Sequence, residues 1–136
     1  MRNYRPNWDA IGITKARFQE LAGFCMQYPE WRVEADSLLG VQGGGLDGMP
    51  HGSTVGDPVS AAAARRARLL RKIRIIEECA QDVDDGRWYA ALILNVCIRK
   101  RYEDLTSILP TSNRNAFFRA RREFFIKLNE RKEEPD

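Results

Sequence analysis

Histidine occurs once in this chain, at His51, and cysteine three times, at Cys25, Cys79 and Cys97. A lone histidine among glycines has no neighbour with which to build a Ser-His-Asp or Cys-His set, so catalysis of that kind is not expected. The cysteines are odd in number and no two form a C-x-x-C pair, which speaks against a disulfide framework and a zinc cage. Their surroundings are apolar and helix-like, as for buried free thiols in a reducing compartment. Asp82, Asp84 and Asp85 lack the D-x-[DN]-x-[DN]-G spacing and the distal glutamate of a calcium loop, and they suit caps and a solvated turn. No cofactor, no metal and no enzymatic activity are therefore expected.

Long apolar runs are missing too. The longest, Trp88 to Ile98, is broken by Asn95 and is too short for a bilayer. Met1 to Ala10 is polar, with Arg2 and Arg5 but no apolar stretch behind them, so no signal peptide is read and a cytoplasmic protein without a membrane partner is expected. Alternating runs bounded by turns are absent, so no strand is expected. What remains is an ordinary globular composition, 43% hydrophobic and 30% charged over 136 residues, enough for one domain or a domain with a small appendage.

Helical periodicity fills that space. Thr14 suits a cap for a helix carrying Phe18, Leu21, Ala22 and Cys25 at spacings of three and four. Tyr28-Pro29 interrupts it, and Glu30 to Leu39 reads as a second short helix with Trp31, Ala35, Leu38 and Leu39 apolar. Gly40 to Asp57 holds seven of the ten glycines plus Pro50 and reads as a long loop. It is not a P-loop, which needs G-K-[ST] and a preceding strand. Asp57-Pro58 is a strong helix start, and the helix it opens runs to about Ala80 with Leu69, Leu70, Ile73 and Ile76 on its apolar side. Gly86 to about Arg99, apolar nearly all round, is expected to be the central buried helix. The fold class is thus all-α: a small helical domain with a long glycine-rich loop between N-terminal helices and a long central helix, divided as residues 1–57 and 58–136.

The net charge of +3 is unevenly spread. Residues 59–78 carry six basic and two acidic side chains, and residues 99–132 carry ten basic against four acidic. Two basic segments of this kind are the footprint of a polyanion binder, or two solvated helix faces. The second segment also carries a motif. RYEDLTSIL reads as a short helix with Tyr102, Leu105, Ile108 and Leu109 for packing. Pro110 then forces a turn, and Ser112 offers a cap for a longer helix, Asn113 to about Arg131. Phe117, Ala120, Phe124 and Leu128 share that helix's inner side, widened by Phe118 and Phe125. Asn115, Arg119, Arg122 and Glu123 lie roughly opposite. Short helix, tight turn and arginine-loaded helix is the layout of a helix-turn-helix, with Ser112, Asn113, Arg114, Asn115, Arg119 and Arg122 as DNA-binding candidates.

From about Arg87 to Leu128 the chain resembles region four of bacterial sigma factors, in the succession WYAALILNVCIR, YEDL and SNRNAFFRARREFF. In length and layout it is similar to phage and prophage regulators of the RinA/ArpU type, through FQELAGFCMQYPEW and the linker DGMPHGSTVGDP. Proline stands in the turn where glycine is usual, and Thr106 where alanine is usual. The resemblance implies sequence-specific binding of duplex DNA by a transcription regulator, with RNA polymerase and a second copy of the chain as further partners. The same module would also serve a small terminase-like packaging subunit, and basic helices alone would serve an interaction protein with acidic partners.

Overall fold

The computed structural model describes residues 12–44 and 57–133. Among these the chain is all-helical: α1 (Lys15–Met26), α2 (Tyr28–Gly44), α3 (Pro58–Gln81), α4 (Tyr89–Val96) and α5 (Arg114–Glu133), with 3-10 turns at Asp84–Gly86 and Tyr102–Asp104. It forms two compact units. One takes the chain up to Tyr28 together with Ile75 onward, and the other is Pro29–Arg74. A division at residue 57 follows the linker; the units cut across it, because α1 packs with α4 and α5, which lie far along the chain.

The helix starts follow their caps. Thr14 Oγ1 accepts the Arg17 N–H at 3.1 Å, and Asp57 accepts the Val59 N–H at 3.0 Å ahead of Pro58. α2 begins at Tyr28 with Pro29 in its first turn, where a missing N–H costs nothing. It then continues through Gly40 to Gly44 instead of stopping at Leu39. The rest of the expected glycine loop, 45–56, lies outside the described residues, as does His51.

In the unit Pro29–Arg74, α2 and the first part of α3 run antiparallel. Trp31, Ala35, Ala62, Leu69 and Ile73 are buried between them. The basic segment of α3 takes part in this pairing. Arg65 pairs with Glu34, Arg66 donates to the Ala35 carbonyl at 3.1 Å, and the Lys72 ammonium lies 5.3 Å from the Trp31 ring centre. Three of its six cations thus hold the hairpin together.

The other unit is built on aromatic packing. Phe117, Phe124, Phe125 and Leu128 of α5 are essentially inaccessible. Phe117 meets Trp88 and Tyr102 with ring centres 6.2 and 5.6 Å apart, and Phe125 meets Phe18 of α1 edge-on at 4.9 Å. α4 contributes Ala91, Leu92 and Val96, but Ile93 and Leu94 are only half-buried, and the helix spans eight residues where fourteen were expected. Its start is a turn in which Asp84, Asp85 and Gly86 have φ of +49°, +53° and +83°. Asp84 does not cap α4. Its carboxylate accepts instead from the Trp88 indole at 3.3 Å and from Arg87 at 3.1 Å.

All three cysteines are buried and free. A hydrogen bond with Cys97 and burial hold the Cys25 thiol far above its ordinary value, and burial pushes the Cys79 thiol up to about 11. Thiolates are thereby suppressed, so a thiol reagent at about pH 8 should label the native chain slowly and the denatured chain at once. A fast-reacting native cysteine contradicts this packing. Phe124→Ala should lower stability by about 3–5 kcal/mol, read as a fall in the urea midpoint.

Candidate nucleic-acid interface

The segment before α5 differs from the expected short helix. Residues 102–109 form a single 3-10 turn, Tyr102–Asp104, followed by further turns. Leu105 alone is buried; Ile108 is 44% exposed and Leu109 half-buried. Thr106, Ser107 and Ile108 favour helix weakly, and Pro110 removes the ladder that would have extended it. The motif therefore reaches α5 through a turn rather than through a full first helix.

The cap also shifts by one residue. Ser112 does not cap α5: its carbonyl accepts the Tyr102 hydroxyl at 3.3 Å, and its side chain is exposed. Asn113 is the cap, with Oδ1 accepting the N–H groups of Asn115 at 2.9 Å and Ala116 at 3.3 Å. Thr111 Oγ1 in turn accepts the Asn113 N–H at 3.1 Å. Two hydroxyl and amide side chains in succession organise the entry to the helix.

The burial of the phenylalanines settles where each arginine of α5 goes. Arg114 is half-buried, its guanidinium 4.9 Å from the Tyr102 ring centre and 5.0 Å from that of Phe118. Arg121 donates to Asn95 Oδ1 at 2.8 Å and lies over Phe18 and Phe125. Arg131 pairs with Glu78 at 2.9 Å. Asn115, Arg119 and Arg122 fall at i, i+4 and i+7, which places them on one outward stripe. Asn115 and Arg119 are exposed and Arg122 half-buried, and neither guanidinium makes a hydrogen bond or ion pair to any described residue.

Arg119 and Arg122 line an open cleft of about 620 Å³. Arg87, Asp84 and Trp88, from the turn before α4, form its opposite side, with Thr111 at one end. Three guanidiniums thus border one cleft, and the carboxylates on it are Asp84, paired with Arg87, and Glu123 of α5. Of the six predicted residues, Asn115, Arg119 and Arg122 come together; Asn113 is a structural cap, Arg114 sits about a quarter turn round the helix, and Ser112 is at the tip. Arg87 and Thr111 went unpredicted. Arg87 lies in an acidic stretch, so its place opposite α5 depends on the fold.

No family model, curated protein or solved structure matches this chain. Among the described residues no group of three or more His, Cys, Asp or Glu side chains is placed to hold a metal ion, and no helix is long and apolar enough to cross a membrane. Arginine forks and an exposed amide on a convex helix suit phosphate and base-edge contacts.

Asn113→Ala should cost about 1 kcal/mol of stability in chemical denaturation, while Ser112→Ala should leave the midpoint unchanged. A cost at Ser112→Ala with none at Asn113→Ala would return the cap to Ser112.

Proposed function

We propose that this chain binds duplex DNA, with the outer stripe of α5 entering the major groove and the cleft beside it gripping the phosphate backbone. The observation that carries this reading is the division of labour on α5. Its inner side is filled by Phe117, Phe124, Phe125 and Leu128, while Arg119 and Arg122 remain exposed or half-exposed and without a partner among the described residues. Cations that contribute nothing to the fold on one convex face fit a polyanion.

Asn115, Arg119 and Arg122 are the residues placed to reach base edges, and Arg87 is placed for a flanking phosphate. Asn113 and Arg114 act through the geometry of the helix start. The likeness to sigma region four and to RinA/ArpU-type regulators extends the proposal to a role: a phage-type transcription regulator that recognises its site through α5. The turn at Tyr102–Asp104 then supports α5 in place of a complete first helix.

Fluorescence anisotropy with duplex fragments tests it. Affinity should fall steeply with salt, with a log–log slope that drops by about 1 for each phosphate-contacting cation removed. Arg119→Ala and Arg122→Ala should each weaken binding by about 1–3 kcal/mol if they read bases. Full-strength binding by the double variant, or no salt-dependent binding by the native chain, removes the proposal.

A further inference from the structure

The flank of α5 that carries Arg121, about half a turn from Arg119, borders a second cleft of about 360 Å³ between α1, α4 and α5. Its floor is apolar, offered chiefly by Met26 and the half-buried Phe18 and Ala22, and its rim carries Arg99, Lys100 and Arg121. None of the residues lining it is acidic. Met26 is 41% exposed there, and Ile98, next to Arg99 in the chain, is 47% exposed.

The rim is held in place. Asn95 joins its two halves, accepting from Arg121 Nε at 2.8 Å and donating to the Lys100 carbonyl at 2.9 Å. The Lys100 N–H returns to the Leu94 carbonyl at 2.9 Å, closing the end of α4. Arg99 makes the reversal with φ of +68°, a backbone conformation that glycine adopts freely and arginine does not. Strained non-glycine positions of this kind cluster at ligand clamps and functional sites.

We infer that this cleft docks an acidic segment of a partner protein that carries a protruding apolar side chain. The apolar floor accepts that side chain, and Arg99 and Lys100 face the carboxylates beside it. Nucleic acid fits less well. A phosphodiester backbone brings no apolar group for the floor, and Arg121, held by Asn95 at 2.8 Å and lying over Phe18 and Phe125, is already engaged within the fold. The inference uses residues other than the α5 stripe and does not depend on the DNA-binding proposal.

The test titrates the full chain into a fluorescein-labelled synthetic peptide in which leucines recur at helical spacing among glutamates and aspartates. A second peptide replaces the leucines by serine, and duplex DNA is the third probe. The leucine peptide should bind saturably, and the serine peptide about tenfold more weakly. Arg99→Gly and Lys100→Ala should each weaken the leucine peptide about tenfold. Arg99→Gly should do so with an unchanged or raised thermal midpoint, which separates lost contact from lost folding. Equal affinity for the two peptides, or peptide binding indifferent to both variants, overturns the inference. So does a Lys100→Ala loss confined to DNA, which would make the cleft a nucleic-acid surface.

Discussion

The burial of Phe117, Phe124, Phe125 and Leu128 sets the rotation of α5 about its own axis, and with it the fate of every charged group on that helix. At 3.6 residues per turn, a shift of one position would turn the helix by about 100°. It would bring Phe118, now half-buried against Tyr102 and Arg114, into the core and carry Phe117 toward water. It would also move Arg122 off the outer stripe to the place now taken by Arg121, beside Asn95. The aromatic interlock with Trp88, Tyr102 and Phe18 makes such a rotation unfavourable from three sides.

Because the rotation is fixed, positive charge in this chain is of two kinds. Arg17, bonded to Asn129 at 2.7 Å, belongs with Arg121, Arg131, Arg65, Arg66 and Lys72: all are engaged with internal carboxylates, carbonyls, amides or rings. These groups cover apolar surface with their stems and satisfy acceptors with their heads. Arg119 and Arg122 do neither among the described residues. A count of charges along the sequence treats both kinds alike, so the two basic segments look equivalent. In the folded chain much of the first is spent on the α2–α3 pairing, and the second divides between core flank and open face.

That division explains how far the sequence could be read. Periodicity of three and four located α1, α2, α3 and the inner side of α5, because burial of a helical stripe is a local pattern, whereas α4 was marked by an apolar run that overstated its length. Thr14 and Asp57-Pro58 marked helix starts for the same reason: a cap is a contact between residues two or three apart. The entry to α5 was harder. Thr111, Ser112 and Asn113 are all competent caps, and the choice of Asn113 depends on Tyr102 drawing the Ser112 carbonyl into its own hydrogen bond. The 102–109 segment showed helical spacing, yet Leu105 alone reaches the core, so the spacing had no second buried turn to support a helix. Arg87 and the Arg99–Lys100 rim were invisible because their neighbours, Arg119 and Phe18, come from helices distant in the sequence.

α4 ties the two clefts together. At eight residues it is the shortest α-helix among those described, and a left-handed residue other than glycine stands near each end: Asp84 before it and Arg99 after it. Each borders one cleft, Asp84 the one beside Arg119 and Arg99 the one beside Arg121. Aspartate tolerates this backbone region better than arginine, so the strain at the two ends is unequal. Leu92, fully buried at the middle of α4, anchors the helix between them. Sharp reversals at both ends of a short, well-anchored helix bring Arg87 and Arg99 out to opposite flanks of α5. Extending α4 to the fourteen residues its apolar run suggests would carry both arginines along the helix axis instead, away from the arginines of α5 that they now accompany.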